Sequence, residues 1–192
     1  MKELSLNILD IAENSVKARA KLIGITLEET ESTLLLTITD NGCGMDRETL
    51  AKVTDPFFTT RTTRPVGMGL SLLGLAAEQT GGWLRVQSVS EKDDPHNHGT
   101  KVEAMFHTQH IDFAPVGDVV ATLITLIQGS PDIDFSYRHS TPTGSAELET
   151  AQLREVLGSD ISLAEFEVLQ WIEGNLREQY AALRGADEIT DQ

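Results

Sequence analysis

The 192-residue chain has one cysteine, Cys43, so it can form no internal disulfide. Aromatic residues make up only 5% of it, with two tryptophans and two tyrosines. A core must therefore be built from aliphatic side chains. No apolar run approaches the length of a membrane span. Met1-Lys2-Glu3-Leu4-Ser5 enters an amphipathic pattern at once, without the apolar stretch and small-residue cleavage site of a secretory signal. These absences point to a cytoplasmic protein. Basic residues are also scarce: 15 Lys and Arg stand against 30 Asp and Glu, a formal net charge of −15. Such a surface repels nucleic-acid backbones and anionic lipid, so the expected partners exclude both. Arg61 and Arg64 lie close together with no acid between them, a basic spot suited to one compact polyanion.

Hydrophobic residues reach 40%, enough for one core plus a smaller annex. Leu4, Ile8, Leu9, Ala12 and Val16 recur at helical spacing and predict a helix over 4–19. Strands are expected over 22–28 and 33–40, a short helix over 46–53 capped by Asp46, and a helix over 69–80 stopped by Gly81-Gly82. Strands at 83–90 and 100–107 follow. The composition changes after residue 107. A helix at 117–128, a hairpin of 132–140 and 144–150, and helices at 151–157 and 163–184 are expected there. Residues 1–110 read as one unit and 111–192 as a small helix, hairpin and helix annex.

Several short patterns carry chemistry. Asn7, Asp10, Asn14 and Lys17 share one face of the first helix, a polar stripe that can meet solvent or a ligand. Asp40-Asn41-Gly42-Cys43-Gly44-Met45 puts a carboxylate at a strand end, followed by two glycines. An ionised Asp accepts hydrogen bonds, as an exocyclic amine requires, and glycine lets backbone approach a flat ring. An ordinary strand-ending turn is the alternative. Gly67-Met68-Gly69-Leu70 opens a helix whose first N–H groups form an anion site, or else a loop hinge. Before it, Pro56 to Arg64 combine two phenylalanines with Thr60, Arg61 and Arg64, donors for phosphate oxygens. Gly99-Thr100 starts the last strand of the first unit, where the Thr100 hydroxyl can support Asp40 directly or through water. His96, His98, His107 and His110 cluster in sequence but show no ligand spacing for a metal.

In this order the segments resemble the boxes of the GHKL ATPase superfamily, which holds gyrase-type ATPases, chaperones, histidine kinases and MutL-type repair proteins. Asp10 to Lys17 look like its asparagine box, and Asp40-x-Gly42-x-Gly44 like its first glycine box. Pro56-Phe57 look like its phenylalanine box. Gly67-x-Gly69-Leu70 and Gly99-Thr100 look like its two later glycine boxes. The resemblance covers residues 4–107. It implies an α/β (α+β) sandwich of a mixed sheet with helices on one face, and ATP with Mg²⁺ as cofactors. It implies that Asn14 holds Mg²⁺, Lys17 reaches the phosphates, Asp40 reads adenine, and Gly42, Gly44 and Met45 border the base. Gly67, Met68, Gly69 and Leu70 match the phosphate cradle, and Thr60 and Arg61 belong to a short lid of the kinase type. The chain is also similar to small stand-alone ATP-binding proteins of anaerobic bacteria.

One departure matters. Asp10 stands where hydrolysing members place a glutamate, and it is one methylene shorter, so slow or absent hydrolysis is expected. No histidine precedes residue 96, so a phosphorylated-histidine hairpin upstream is not expected. The expected function is a stand-alone kinase or regulatory module acting on a protein partner, with Asp10 and Lys17 as candidate catalytic residues. A non-catalytic, ATP-dependent switch is the alternative.

Overall fold

A computed structural model describes residues 3–53, 69–158 and 160–190. Its elements run α1 (Leu4–Lys17), β1 (Leu22–Glu29), β2 (Thr33–Asp40), α2 (Arg47–Lys52), α3 (Gly69–Gln79), β3 (Trp83–Val89), β4 (Gly99–His107), α4 (Val119–Gly129), β5 (Asp134–Thr141), β6 (Gly144–Glu149), α5 (Thr150–Leu157) and α6 (Phe166–Thr190). The six strands form one mixed sheet in the order β3-β4-β2-β1-β5-β6. All neighbours are antiparallel except β1 and β5, which run parallel. Parallel pairing needs a crossover, and α4 supplies it between β4 and β5.

Alternation along the strands separates two faces. In β1 and β2, Ile23, Ile25, Leu27, Leu34, Leu36 and Ile38 are buried to within 1% of full burial. Each contributes about 1.5–3 kcal/mol relative to exposure. One rung of this face crosses the whole sheet as Val86, Val102, Ile38, Ile25, Tyr137 and Leu148. The neighbouring rung on the other face is polar: Arg85, Glu103, Thr37, Thr26, Arg138 and Glu147. Helices α1, α3, α4 and α6 cover the apolar side with Leu4, Ile8, Leu73, Leu123, Ile172 and Leu176. The mixed sheet with helices on its apolar face is the architecture the resemblance implies.

The segment after residue 110 supplies α4, the β5–β6 hairpin, α5 and α6, and β5 extends the sheet beyond β1. Arg154 ties α5 to the start of β5, donating to Asp134 Oδ1 at 2.8 Å and to the carbonyls of Pro131 and Ile133. α6 is held by a partly buried polar chain. The Tyr180 hydroxyl meets that of Tyr137 and lies 2.8 Å from His139 Nδ1, while His139 Nε2 is 3.1 Å from Glu29. Burial pushes the tyrosine hydroxyls' pKa up.

Candidate functional site

Asp40 ends β2 beside the C-terminal half of α1, and the loop that follows it is pinned from three sides. Ser15 Oγ donates to Asp40 Oδ2 at 2.7 Å, and the Gly42 N–H donates to Oδ1 at 2.9 Å. Both donors hold the carboxylate in one orientation. Cys43 N–H donates to the Ala18 carbonyl at 2.8 Å, and the Cys43 carbonyl accepts from Glu91 N–H at 2.9 Å. Asn41 Oδ1 accepts from the N–H groups of Lys21 and Leu22. His98 Nδ1 lies 2.5 Å from the Gly42 carbonyl. A carbonyl only accepts, so this nitrogen carries the proton.

The glycines of this loop are sterically required. A Cβ on Gly42 would lie 2.7 Å from the Ala18 carbonyl oxygen. Gly44 has φ +62°, and a Cβ there would come within 1.9 Å of the Val89 carbonyl oxygen. The Met45 N–H then donates to Ser88 Oγ at 2.8 Å.

A cavity of about 680 Å³ opens next to this loop. That volume lies in the range of small-molecule sites. Asn14, Lys17, Asp40, Gly44, Met45, Leu70 and Thr100 line it, together with Ile11 and Ile38 from the core side. Gly42 sits behind the wall, buried against Ala18. Asp10 stands one helical turn before Asn14, and Gly69 packs on it, with room for a Cβ only 3.3 Å from Asp10 Cβ. The start of α3 as described thus packs on the middle of α1, at Asp10. Lys17 Nζ pairs with Glu13 at 3.1 Å, both groups half-exposed.

The arrangement joins apolar walls, one oriented carboxylate and a row of polar groups on α1. Flat aromatic rings bearing an amine suit the first two, and oxyanions suit the third with α3 beyond it. Asn14 offers one neutral oxygen. Among the described residues no group of three or more His, Cys, Asp or Glu could hold a metal ion by itself. A divalent cation here would need oxygens from its ligand as well.

Two details differ from the sequence reading. Asn7 was placed on the polar stripe of α1, yet it is 3% exposed, and its Oδ1 has no hydrogen-bond partner among the described residues. The Thr100 hydroxyl lies 2.9 Å from Ser88 Oγ, whereas Asp40 takes its support from Ser15 and Gly42. Thr100 pairs with Asp40 through the backbone ladder. Ser15, Ser88 and His98 were not singled out as site residues. For Ser15 the signal was present: it adjoins Asn14 and lies three to four residues from Ile11 and Ala12 and seven from Ile8, on the seam between polar and apolar faces. Thr60, Arg61, Gly67 and Met68, with the rest of the loop from Pro56 to Arg64, lie outside the described residues.

The family model for histidine kinase-, DNA gyrase B- and HSP90-like ATPases matches residues 2–110. The chain belongs to this ATPase family. Among curated relatives, a putative sensor protein of Shewanella frigidimarina is 32% identical over 107 residues, 55% of this chain and 15% of that protein. The signal transduction histidine-protein kinase AtoS of Escherichia coli is 37% identical over 89 residues, 46% of this chain and 14% of that protein. The chain thus spans a small fraction of these relatives' length. The crystal structure of the N-terminal domain of a DNA repair protein aligns with TM-score 0.55 and 20% identity, covering 82% of this chain and 57% of that one. The Aquifex aeolicus MutL ATPase domain complexed with ADP aligns with TM-score 0.52 and 14% identity, covering 82% and 69%. These likenesses concern the fold. At 82% of this chain they extend beyond residue 110.

Proposed function

We propose that the chain binds Mg²⁺-ATP in the cavity beside Asp40 and acts as a kinase or regulatory module on a protein partner. The observation that carries the nucleotide reading is the doubly held Asp40 carboxylate at the wall of a 680 Å³ cavity. Membership of the ATPase family supports it, as does the fold shared with an ADP-bound domain.

The donor set fits the group. Asp40 accepts from the exocyclic amine of adenine, while Gly42 and Gly44 keep the wall flat for the ring. Asn14 would offer an oxygen to Mg²⁺. Lys17, paired with Glu13, would offset phosphate charge. The family resemblance assigns phosphate-binding roles to Gly67, Met68, Gly69 and Leu70 and lid roles to Thr60 and Arg61. When bound, the nucleotide supplies a transferable phosphoryl group, and these residues position it and offset its charge. Asp10 is the candidate base, and Thr100 steadies the loop through Ser88.

No described helix is long and apolar enough to cross a membrane. With the net charge of −15, this favours a cytoplasmic setting with protein partners. The segment 111–192 acts as a partner-selecting annex in this reading. Incubation with labelled ATP and a native lysate tests the kinase activity. Label on a protein, lost with Asp40→Asn, is expected; no transfer to any protein would refute the kinase role.

Asp10 favours a second reading, a switch in which nucleotide occupancy alone changes the surface a partner meets. Equal partner affinity with ATP, ADP and no nucleotide would refute it.

A further inference from the structure

Among the described residues Arg19 is the one non-glycine residue with a positive φ, +62°. It follows Ala18, the C-cap of α1. Its N–H donates to the Val16 carbonyl at 3.0 Å, and the next N–H, of Ala20, donates to Ser15 at 3.1 Å. These are the two bonds of a Schellman helix end, whose left-handed residue is usually glycine. The two helix-end bonds hold the left-handed backbone, but an arginine there adds strain that a glycine would not, and its side chain, 78% exposed, reaches no buried group. A strained residue that the packing does not require directs attention to ligand binding.

Its surroundings give that role a place. Arg19 and Glu91 both line the 680 Å³ cavity, and their charged ends are 3.5 Å apart. Each comes from a backbone tied to the same residue, Cys43. Cys43 N–H bonds to the carbonyl of Ala18, the residue before Arg19, and the Cys43 carbonyl accepts from Glu91 itself. The Arg19–Glu91 pair therefore straps the glycine loop at the Asp40 end. Asp10, the candidate phosphate end with Gly69 against it, lies about two and a half helical turns back along α1. An exposed pair of this kind is weak and opens readily.

We propose that Arg19 is a specificity-determining residue for the base of the nucleotide: its planar guanidinium leaves Glu91 and stacks on the outer face of a purine whose amine is held by Asp40. Stacking of a guanidinium on an aromatic face at a solvent-exposed edge is worth about 2- to 5-fold in affinity. This inference rests on the nucleotide reading above.

The test is calorimetric titration of wild type, Arg19→Gly and Arg19→Lys with Mg²⁺-ATP and Mg²⁺-ADP, alongside thermal melts. Arg19→Gly relaxes the backbone and removes the guanidinium. Its Tm should rise by about 2–4 °C while both nucleotides bind about 2- to 5-fold more weakly. Arg19→Lys keeps charge and strain, so its Tm should stay put while the planar contact is lost. A stabilised variant that binds less well is an outcome a merely structural arginine would not give. Wild-type affinity in Arg19→Gly would overturn the proposal. So would a loss for ATP absent for ADP, since that assigns the charge to the terminal phosphate, and so would a fall in Tm. If wild type binds neither nucleotide, the nucleotide reading fails first and takes this inference with it.

Discussion

Replacing Ser15 with alanine removes one hydroxyl and tests how Asp40 is held. Ser15 is 3% exposed, and its Oγ donates to Asp40 Oδ2 at 2.7 Å. Hydrogen bonds to a charged acceptor contribute about 1.5–3 kcal/mol net. Asp40 keeps the Gly42 N–H and is only half-buried, so cavity water can replace the lost donor in the empty protein. The low end, about 1.5 kcal/mol, therefore applies. A bound base would displace that water, so the cost should fall on binding more than on folding. Ser15→Ala should weaken Mg²⁺-ATP about tenfold, the equivalent of about 1.4 kcal/mol. Its Tm should fall by no more than about 3–6 °C. Calorimetry of both proteins, with melts as the folding control, reads the two effects separately. Affinity within twofold of wild type would refute the reasoning, because the carboxylate would not depend on its buried donor.

Three further outcomes follow from the same geometry. Gly44→Ala places a Cβ against the Val89 carbonyl at a φ of +62° and should cost about 2–3 kcal/mol, lowering Tm; an unchanged melt would contradict the loop geometry. The chain's two tyrosines are the buried pair Tyr137 and Tyr180, and burial raises both above the ordinary value of 10. Their contribution to stability is present below pH 10 and is lost as pH rises. Alkaline spectrophotometric titration of the folded protein should show phenolate forming only above the ordinary tyrosine range, whereas ionisation at the ordinary value would refute the pair. Asp10 is too short to copy a glutamate base, so steady-state phosphate release should stay below about 1 s⁻¹, and a faster rate would count against that reading.

Local order was legible in the sequence where one signal dominated. Richness in Leu, Thr and Ile over 33–40 gave β2 its bounds, and Asp46 caps α2 by accepting from the Thr49 N–H at 2.7 Å. Gly81, with φ +78°, ends α3 where the glycine pair indicated. What was not legible depends on contacts distant in sequence. The parallel pairing of β5 with β1 joins residues more than a hundred positions apart, and nothing within 132–140 encodes its neighbour. The same limit explains the site. Asp40, Gly42 and Gly44 stand out as types at a spacing, whereas Ser15 acquires its role only when α1 packs beside β2. Asn7 shows the reverse: its polar chemistry suggested an outward face, but α1 turns it inward beside Leu4, Ile8 and Ile11. Thr100 points to Ser88 because β3 is its neighbour in the sheet.

The most direct test of the central claim is calorimetric titration of the wild-type chain with Mg²⁺-ATP beside Asp40→Asn. Saturable 1:1 binding that Asp40→Asn abolishes is the expected result. Absence of binding up to millimolar ATP, or equal binding by the Asp40→Asn protein, would contradict the claim that the cavity beside Asp40 is a nucleotide site.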